Sequence, residues 1–198
     1  MDSDSGRYRE WHSQFSSSRS GKSKRLCAPR LSVRKFADIA VANAPRHYIL
    51  RSSWVIGEGR NFVKTMMMLS DRVANPDDQL EQVTVVDDQL GNPTNAADLA
   101  HEILNLLVTK EYGVYHCTGE GVCSWCEFAA EIIRLSGIPA TVTPCTTEQF
   151  IAGAKKQIAP RPAYSALENA MLKATIGNEM RDWKTALACF FENYKPEE

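Results

Sequence analysis

The chain has 198 residues, of which 43% are hydrophobic and 24% are charged, and its formal net charge is -1. This length provides for one hydrophobic core with at most a small appendage, and the near-neutral charge excludes overall attraction to nucleic acid or membrane. Six cysteines in such a chain do not form a disulfide scaffold, and no apolar run is long enough to cross a membrane, so we expect a reduced cytosolic protein.

Residues 1–35 differ in composition from the rest of the chain. Serines and basic residues alternate between Ser16 and Lys35, with few apolar residues among them. Such a segment buries too little surface to offset the entropy of ordering it. We expect a disordered arm over residues 1–35, apart from a short helix near 32–43, and a folded domain over 36–198. A solvated tail is favoured over a nucleic-acid-binding or lipid-binding arm.

Strands and helices alternate from residue 46 onward. The short apolar run Tyr48-Ile49-Leu50 predicts a buried strand, and Asn61 begins a helix that extends to about Leu69. The β-branched run Val83-Thr84-Val85-Val86 predicts a second strand. Pro93-Thr94-Asn95 then begins a helix that ends at Leu107. Four apolar residues of this helix lie on one helical stripe, which is typical of an amphipathic helix: Leu99, Ile103, Leu104 and Leu107.

The second half of the chain continues the alternation. Residues 113–117 predict a third strand, and Ser124 with Glu127 forms a capping-box pattern for a helix that ends at Gly137. The remaining predicted elements are a short strand at 141–143, a capped helix after Thr146, and helices at 167–175 and 181–194. Strand–helix alternation with short connections predicts an α/β fold with a largely parallel sheet.

Two local patterns suggest chemistry but are better explained by structure. Gly119-x-Gly121 follows a strand and precedes a helix, as in a dinucleotide-binding loop, but Ser124 replaces the third glycine. We interpret this segment as a tight turn into a capped helix. Cys123-x-x-Cys126 has the spacing of a zinc or redox motif, but a zinc site needs two more ligands and only His116 and Cys117 are near in sequence. We therefore expect structural cysteines and no metal site.

Several motifs in order resemble the C-terminal half of dTDP-4-dehydrorhamnose reductase, an extended short-chain dehydrogenase. They cover about residues 46–195 and comprise Leu50-Arg51-Ser52-Ser53-Trp54-Val55-Ile56-Gly57, Asn61-Phe62, Val85-Val86-Asp87-Asp88-Gln89-Leu90-Gly91-Asn92-Pro93-Thr94, Gly113-Val114-Tyr115-His116, Ser124-Trp125-Cys126-Glu127-Phe128-Ala129 and Arg161-Pro162-Ala163-Tyr164-Ser165-Ala166-Leu167. The resemblance implies part of a Rossmann-like parallel sheet together with the small C-terminal α/β substrate-binding region.

The resemblance also implies which residues bind a dTDP-sugar. Ser53 and Trp54 would face the sugar and the nicotinamide, and Asn61 and Phe62 would approach the diphosphate. The resemblance further assigns Gln89, Asn92 and Thr94 to the lining of the nucleotide-sugar cleft and Arg161 to the neutralisation of phosphate. Trp125, Phe128 and Trp183 are assigned to packing. In the complete enzyme, NADPH would reduce the C4 ketone of the sugar in the synthesis of dTDP-L-rhamnose.

The reductive chemistry needs residues that this sequence does not supply. Ser20-Gly21-Lys22-Ser23-Lys24 resembles the family's Tyr-Gly-x-Ser-Lys, with serine in the place of the proton-donating tyrosine. An aliphatic hydroxyl is far less acidic than a phenol, so we assign no catalytic residue; Lys24 would be the family's lysine only if the match is not chance. Nothing in the chain resembles the half that binds NADPH, so we expect no cofactor and no reductase activity for this chain alone.

These observations lead to one principal expectation and two alternatives. The principal expectation is a nucleotide-sugar-binding part that associates with a complementing N-terminal Rossmann half or with itself, because its sheet would otherwise expose edges and apolar faces. The first alternative is a non-catalytic regulatory module, as in the regulatory beta subunit of methionine adenosyltransferase. The second is a truncated product without a function of its own, which the change of composition before residue 36 would fit.

Overall fold

A computed structural model describes residues 37–154 and 158–194 of the chain. The predicted arm at residues 1–35 and the Ser20–Lys24 pattern lie outside the described residues. Residues 38–42 are helical, which agrees with the predicted helix near 32–43 as far as that helix is described. An ion pair of 2.9 Å between Asp38 and Arg51 joins this helical segment to the end of the first strand.

The described structure contains the predicted strands and helices, together with four two-residue strands that the sequence did not predict. The strands are β1 (Tyr48–Arg51), β2 (Val55–Ile56), β3 (Val83–Val86), β4 (Leu90–Gly91), β5 (Thr94–Asn95), β6 (Gly113–His116), β7 (Cys123–Ser124) and β8 (Val142–Cys145). The helices after residue 42 are α1 (Phe62–Ala74), α2 (Ala96–Leu107), α3 (Trp125–Ser136), α4 (Thr147–Ala152), α5 (Ala170–Thr175) and α6 (Trp183–Asn193).

The strands pair two by two, and three of the four described pairs are parallel. β1 pairs with β6, β2 with β5 and β3 with β8 in parallel, whereas β4 and β7 are antiparallel. Parallel pairing of strands separated by helices confirms the predicted α/β class. Among the described residues, β6 is the only strand that pairs with β1, so the other edge of β1 carries no ladder.

Local capping chemistry fixes most helix boundaries where the sequence places them. The Asn95 side chain accepts from the amide of Ala97 and begins α2, and Ser124 and Glu127 form the predicted capping box of α3. α3 ends at Gly137, whose φ of 70° is the left-handed conformation that glycine adopts without strain. α1 is longer than predicted and ends at Ala74, because no helix-breaking residue lies between Leu69 and Pro76.

Two hydrophobic clusters form the interior. The larger cluster joins α1, α3 and α6 to β3, and its fully buried members include Val63, Phe128 and Ile132. The smaller cluster lies beside β6 and includes Leu106, Tyr115 and Leu172.

The buried face of α2 differs from the predicted apolar stripe. Leu104 and Leu107 are exposed by 63% and 58%, whereas the structure buries Asp98, Glu102 and Leu106. Asp98 is paired with Arg181, and Glu102 accepts the amide hydrogen of Glu179. Because these partners come from a distant segment of the chain, the helix turns an acidic face inward and leaves part of its apolar stripe outside. The predicted stripe is therefore wrong as a guide to burial.

Candidate functional site

Asn92 is the centre of a set of hydrogen bonds that ties together four separate parts of the chain. Its side-chain amide donates to the carbonyl of Gly121 at 2.7 Å, and its Oδ1 accepts the amide hydrogen of Leu167 at 2.7 Å. Its main-chain carbonyl accepts from the Ser53 hydroxyl at 2.8 Å. Asn92 itself is only 3% exposed, so these bonds are made away from solvent. The residue fixes the position of the whole 87–95 segment.

The segment that carries Arg161 is attached to the same place. The Leu90 amide donates to the carbonyl of Ala163 at 2.8 Å, and the Ser165 amide donates to the carbonyl of Leu90 at 2.9 Å. Arg161 lies two residues before this attachment and is exposed. Among the described residues, its guanidinium has no ion-pair or hydrogen-bond partner. The site thus presents one cation to solvent on a segment whose backbone is held.

Ser53 and Trp54 follow β1 at its carboxyl end. Both residues are partly buried, and the carbonyl of Trp54 accepts from the Thr94 amide at 3.2 Å. The indole of Trp54 stacks on that of Trp125 with 3.6 Å between ring centroids and an angle of 13° between the planes. Ser53 therefore reaches the 87–95 segment through its hydroxyl and Trp54 through its carbonyl, and the indole lies against the larger cluster.

Asn61 and Phe62 join the site through the start of α1. The Asn61 Oδ1 accepts from the Lys64 amide at 3.1 Å, and its Nδ2 donates to the Gly57 carbonyl at 2.6 Å, so Asn61 is an N-cap. The Phe62 ring lies 4.5 Å from that of Trp125 and 5.6 Å from that of Phe128. Phe62 is thus a packing neighbour of the residue on which Trp54 stacks.

Gln89 and its neighbour Asp88 hold the start of α4. Gln89 is 8% exposed and donates to the Thr147 hydroxyl at 2.9 Å. Asp88 accepts from the amide and the hydroxyl of Thr147, and the hydrogen bond from that hydroxyl holds the pKa of Asp88 below its ordinary value of 3.8. Asp87 accepts from the Ser124 hydroxyl at 2.6 Å. Both aspartates belong to the motif quoted above, but their role in holding α3 and α4 was not predicted.

The Thr94 side chain is fully buried, so it connects two parts of the chain and does not line an open cleft. Its hydroxyl accepts the Gly119 amide hydrogen at 3.1 Å and lies 3.3 Å from the Asn92 carbonyl. Taken together, all eight residues predicted to bind substrate lie on segments that contact one another, although Asn92, Thr94 and Gln89 are largely enclosed in the described structure.

The Gly119–Gly121 loop does not have the shape of a dinucleotide-binding loop. A Cβ atom at Gly119 would lie 2.1 Å from the Pro93 carbonyl oxygen, and one at Gly121 would lie 2.8 Å from the Asp182 carboxylate. The two glycines thus permit close approach of protein to protein, not of backbone to a pyrophosphate. Glu127 also occupies the N-terminus of α3, where it accepts the Ser124 amide. The interpretation of this loop as a capped turn is supported.

The cysteine pair is also structural in character. Cys123 belongs to the larger cluster, and burial raises the pKa of its thiol to about 12, which opposes thiolate formation. Burial also raises the pKa of Cys126. In residues 37–154 and 158–194, no three His, Cys, Asp or Glu side chains group as a metal site requires. No described helix is both long and apolar enough to span a membrane.

A cleft lies beside the N-terminus of α2. This cleft has a volume of about 850 Å³, and its lining includes Lys64, Arg181 and Tyr194. None of the eight predicted residues lines it. It is therefore distinct from the region around Asn92.

The fold and the connected polar segments define the class of protein. Parallel strands joined by helices, with polar residues at the carboxyl end of β1, are typical of nucleotide-binding α/β proteins. Residues 35–195 match the family model described as the RmlD substrate binding domain. Because this match covers most of the chain, the chain belongs to the RmlD substrate-binding domain family.

Individual relatives agree with this assignment. The chain is 34% identical over 193 residues to dTDP-4-dehydrorhamnose reductase of Aggregatibacter actinomycetemcomitans, covering 87% of this chain and 61% of that protein. It is 39% identical over 140 residues to the spore coat polysaccharide biosynthesis protein SpsK of Bacillus subtilis, covering 70% of this chain and 44% of the relative. The chain thus spans about half the length of the curated relatives it matches.

Solved structures show the same relationship. A dTDP-4-dehydrorhamnose reductase of Clostridium acetobutylicum superposes with a TM-score of 0.71 at 42% identity, over 82% of this chain and 52% of that one. The Bacillus anthracis reductase, whose structure is a complex with NADP, gives 0.72 at 35% identity over 83% and 54%. These similarities confirm the predicted resemblance and the Rossmann-like fold class.

Proposed function

We propose that this chain forms the dTDP-sugar-binding part of an NADPH-dependent dTDP-4-dehydrorhamnose reductase. The observation that carries the proposal is the hydrogen bonding at Asn92, which joins Ser53 and the segment after Arg161 to residues 87–95 within a chain of this family. Ser53 and Trp54 contact Asn92 and Thr94 at the carboxyl end of β1, and open α/β folds bind ligands at this end of their strands. The cytosolic location expected from the sequence is part of the same proposal.

The positive charge of Arg161 makes this residue the proposed contact for the diphosphate of the ligand. A nucleotide diphosphate needs a cation, and a guanidinium can donate two parallel hydrogen bonds to phosphate oxygens. Arg161 is exposed, while its segment is fixed through Ala163 and Leu167. A cation that is accessible on a held backbone can bind an anion with little ordering cost.

The direct test is calorimetric titration of the chain with dTDP. Arg161→Ala should weaken binding by about tenfold to a hundredfold, because a charge-assisted hydrogen bond contributes about 1.5–3 kcal/mol. Arg161→Lys should bind dTDP better than Arg161→Ala, since lysine keeps the positive charge, but it cannot donate the two parallel hydrogen bonds of a guanidinium. Arg134→Ala is the matched control, because Arg134 is an exposed arginine whose partner is Glu131 on α3. Failure of the unmodified chain to bind dTDP would overturn the proposal.

We propose further that the chain alone does not reduce the keto-sugar. Two observations support this: the Gly119–Gly121 loop is closed by contacts with protein, and the Ser20–Lys24 pattern, if it is the family's motif, has a serine in the place of the tyrosine. A spectrophotometric assay with NADPH and the dTDP-4-keto sugar should show no oxidation by this chain. Measurable turnover would contradict this part of the proposal, whereas dTDP binding without turnover agrees with either an incomplete reductase or a non-catalytic binding module.

The proposal includes a complementing polypeptide. We define the α2 patch as Leu104, Leu107 and Val108, which are exposed by 63%, 58% and 87%. This apolar surface and the unpaired edge of β1 are what a dinucleotide-binding half would cover, or a second copy of the chain in its absence. Sedimentation velocity should show association that decreases when all three residues are changed to serine. A stable monomer with the natural patch would count against a complementing chain.

A further inference from the structure

Trp54 has a strained backbone at the predicted site. Its φ of 45° makes it the only non-glycine residue with a positive φ in the part of the chain that the structure describes. A bulky side chain in the left-handed region is a rare outlier. Such strain persists only where the surroundings fix the residue, and it is concentrated at functional sites. A tryptophan that served only to fill the core would not need this conformation.

Three contacts hold Trp54 in this conformation. Its indole stacks on Trp125 at 3.6 Å between centroids, and its carbonyl accepts from the Thr94 amide. Its ring also lies against Gly91, where an added Cβ atom would be 2.5 Å from an indole carbon. The Phe62 ring packs on Trp125 with 4.5 Å between ring centroids, so contacts from Phe62 restrict the position of the Trp125 ring.

We infer that Trp125 is a positioning residue, which fixes the indole of Trp54 in the orientation that meets the bound ligand. Trp125 begins α3 directly after the capping residue Ser124, so its ring is set by a rigid helix N-terminus. The strain at Trp54 is offset by the stacking, and the indole is then already oriented before the ligand arrives. This inference rests on the proposed function, and it gives Trp125 a role beyond the packing assigned from the sequence.

The test compares Trp125→Leu, Trp125→Phe and the matched control Trp183→Leu in the full chain, with dTDP titration and far-ultraviolet circular dichroism as readouts. Trp183 is 6% exposed and contacts Phe128 edge-on at 5.7 Å, so its loss perturbs the same cluster without removing the stacked pair. Closely stacked indoles give an exciton couplet, which reports the Trp54–Trp125 pair independently of stability.

Trp125→Leu should abolish the couplet and weaken dTDP binding by about tenfold, and Trp125→Phe, which keeps an aromatic face, should bring the affinity back to within about threefold of the original. Trp183→Leu should lower the melting temperature yet keep the couplet and the affinity. Unchanged affinity in Trp125→Leu, or an equal loss in Trp183→Leu, would overturn the inference. If Trp125→Leu does not fold, Gly91→Ala displaces the indole from its other contact and should also weaken binding; unchanged affinity there overturns the inference.

The two proposals fail in different ways. If the unmodified chain does not bind dTDP, the proposed function fails and the ligand role of Trp125 fails with it. If the unmodified chain binds dTDP and both Trp125→Leu and Gly91→Ala bind equally well, only the positioning role of Trp125 is overturned.

Discussion

The region around Asn92 and the region around α2 differ in how far their side chains have partners within the chain. At Asn92, a buried amide has partners on both its donor and its acceptor side, and the neighbouring aromatic rings pack on one another. At α2, apolar side chains are exposed, and the Oε2 atom of the buried Glu102 has no hydrogen-bond partner among the described residues. A segment with internal partners is complete by itself, whereas exposed apolar residues are typical of a surface that something else covers.

The largest expected difference between the two regions concerns their large apolar side chains. Phe128 is fully buried and contacts the rings of Phe62 and Trp183, so Phe128→Ala should lower the free energy of unfolding by about 3–5 kcal/mol. Leu107→Ala on α2 should change it by no more than about 0.5 kcal/mol, because Leu107 is already exposed. Urea unfolding measures both values. Comparable losses would mean that the α2 patch is covered in solution.

Two asparagines provide the next comparison. Asn92→Ala leaves the Gly121 carbonyl and the Leu167 amide without partners, and the cost should be near the upper end of about 1–3 kcal/mol. Asn105→Ala on α2 removes only an exposed 3.4 Å contact with Glu179 and should have little effect. Hydrogen exchange at Leu167 should accelerate in Asn92→Ala alone. Unchanged exchange there would mean that other contacts hold the 158–167 segment.

The sequence predicts the elements of this fold better than it predicts their faces. The strands at Tyr48, Val83 and Gly113 and the capping box at Ser124 follow from local rules of propensity and hydrogen bonding, and all are confirmed. The buried face of α2 could not be predicted, because Arg181 and Glu179 lie about 80 residues farther along the chain than their partners. The spacing of apolar residues within α2 cannot predict an acidic buried face whose partners come from a distant segment of the chain.

In the candidate site, too, the sequence predicts which segments matter better than it predicts how their side chains are placed. The order of the motifs selects eight residues on neighbouring segments, but it does not show which of them are enclosed. Nor could it indicate that Asp87 and Asp88 hold the starts of α3 and α4, because Ser124 and Thr147 come near only through the pairing of β4 with β7 and of β3 with β8. The binding roles of the eight residues therefore stay predictions.

Two glycines test how tightly the site region is packed. Gly91→Ala places a methyl group against the indole of Trp54 and should lower the free energy of unfolding by about 1–3 kcal/mol. Gly153→Ala is the control, because Gly153 has a φ of -80° and its nearest neighbouring atom is 3.7 Å from the added Cβ. The melting temperatures of the two variants, measured by thermal unfolding, provide the comparison. Equal melting temperatures would mean that the indole moves away at no cost, and the aromatic stack would then be loose.

The smallest expected effect is a pH dependence at the edge of the site region. Thr147 lowers the pKa of Asp88 by hydrogen bonding to its charged form, so folding is favoured by this carboxylate above its ordinary pKa of 3.8. The contribution is lost as the pH falls through the lowered pKa of the folded state, where Asp88 takes up a proton. Asp88→Asn should therefore melt slightly below the original chain at neutral pH, and the difference should disappear in acid. Asp77→Asn is the control, because it removes another exposed carboxylate. A difference for Asp88→Asn that persists unchanged into acid would mean that the carboxylate acts through its shape rather than its charge.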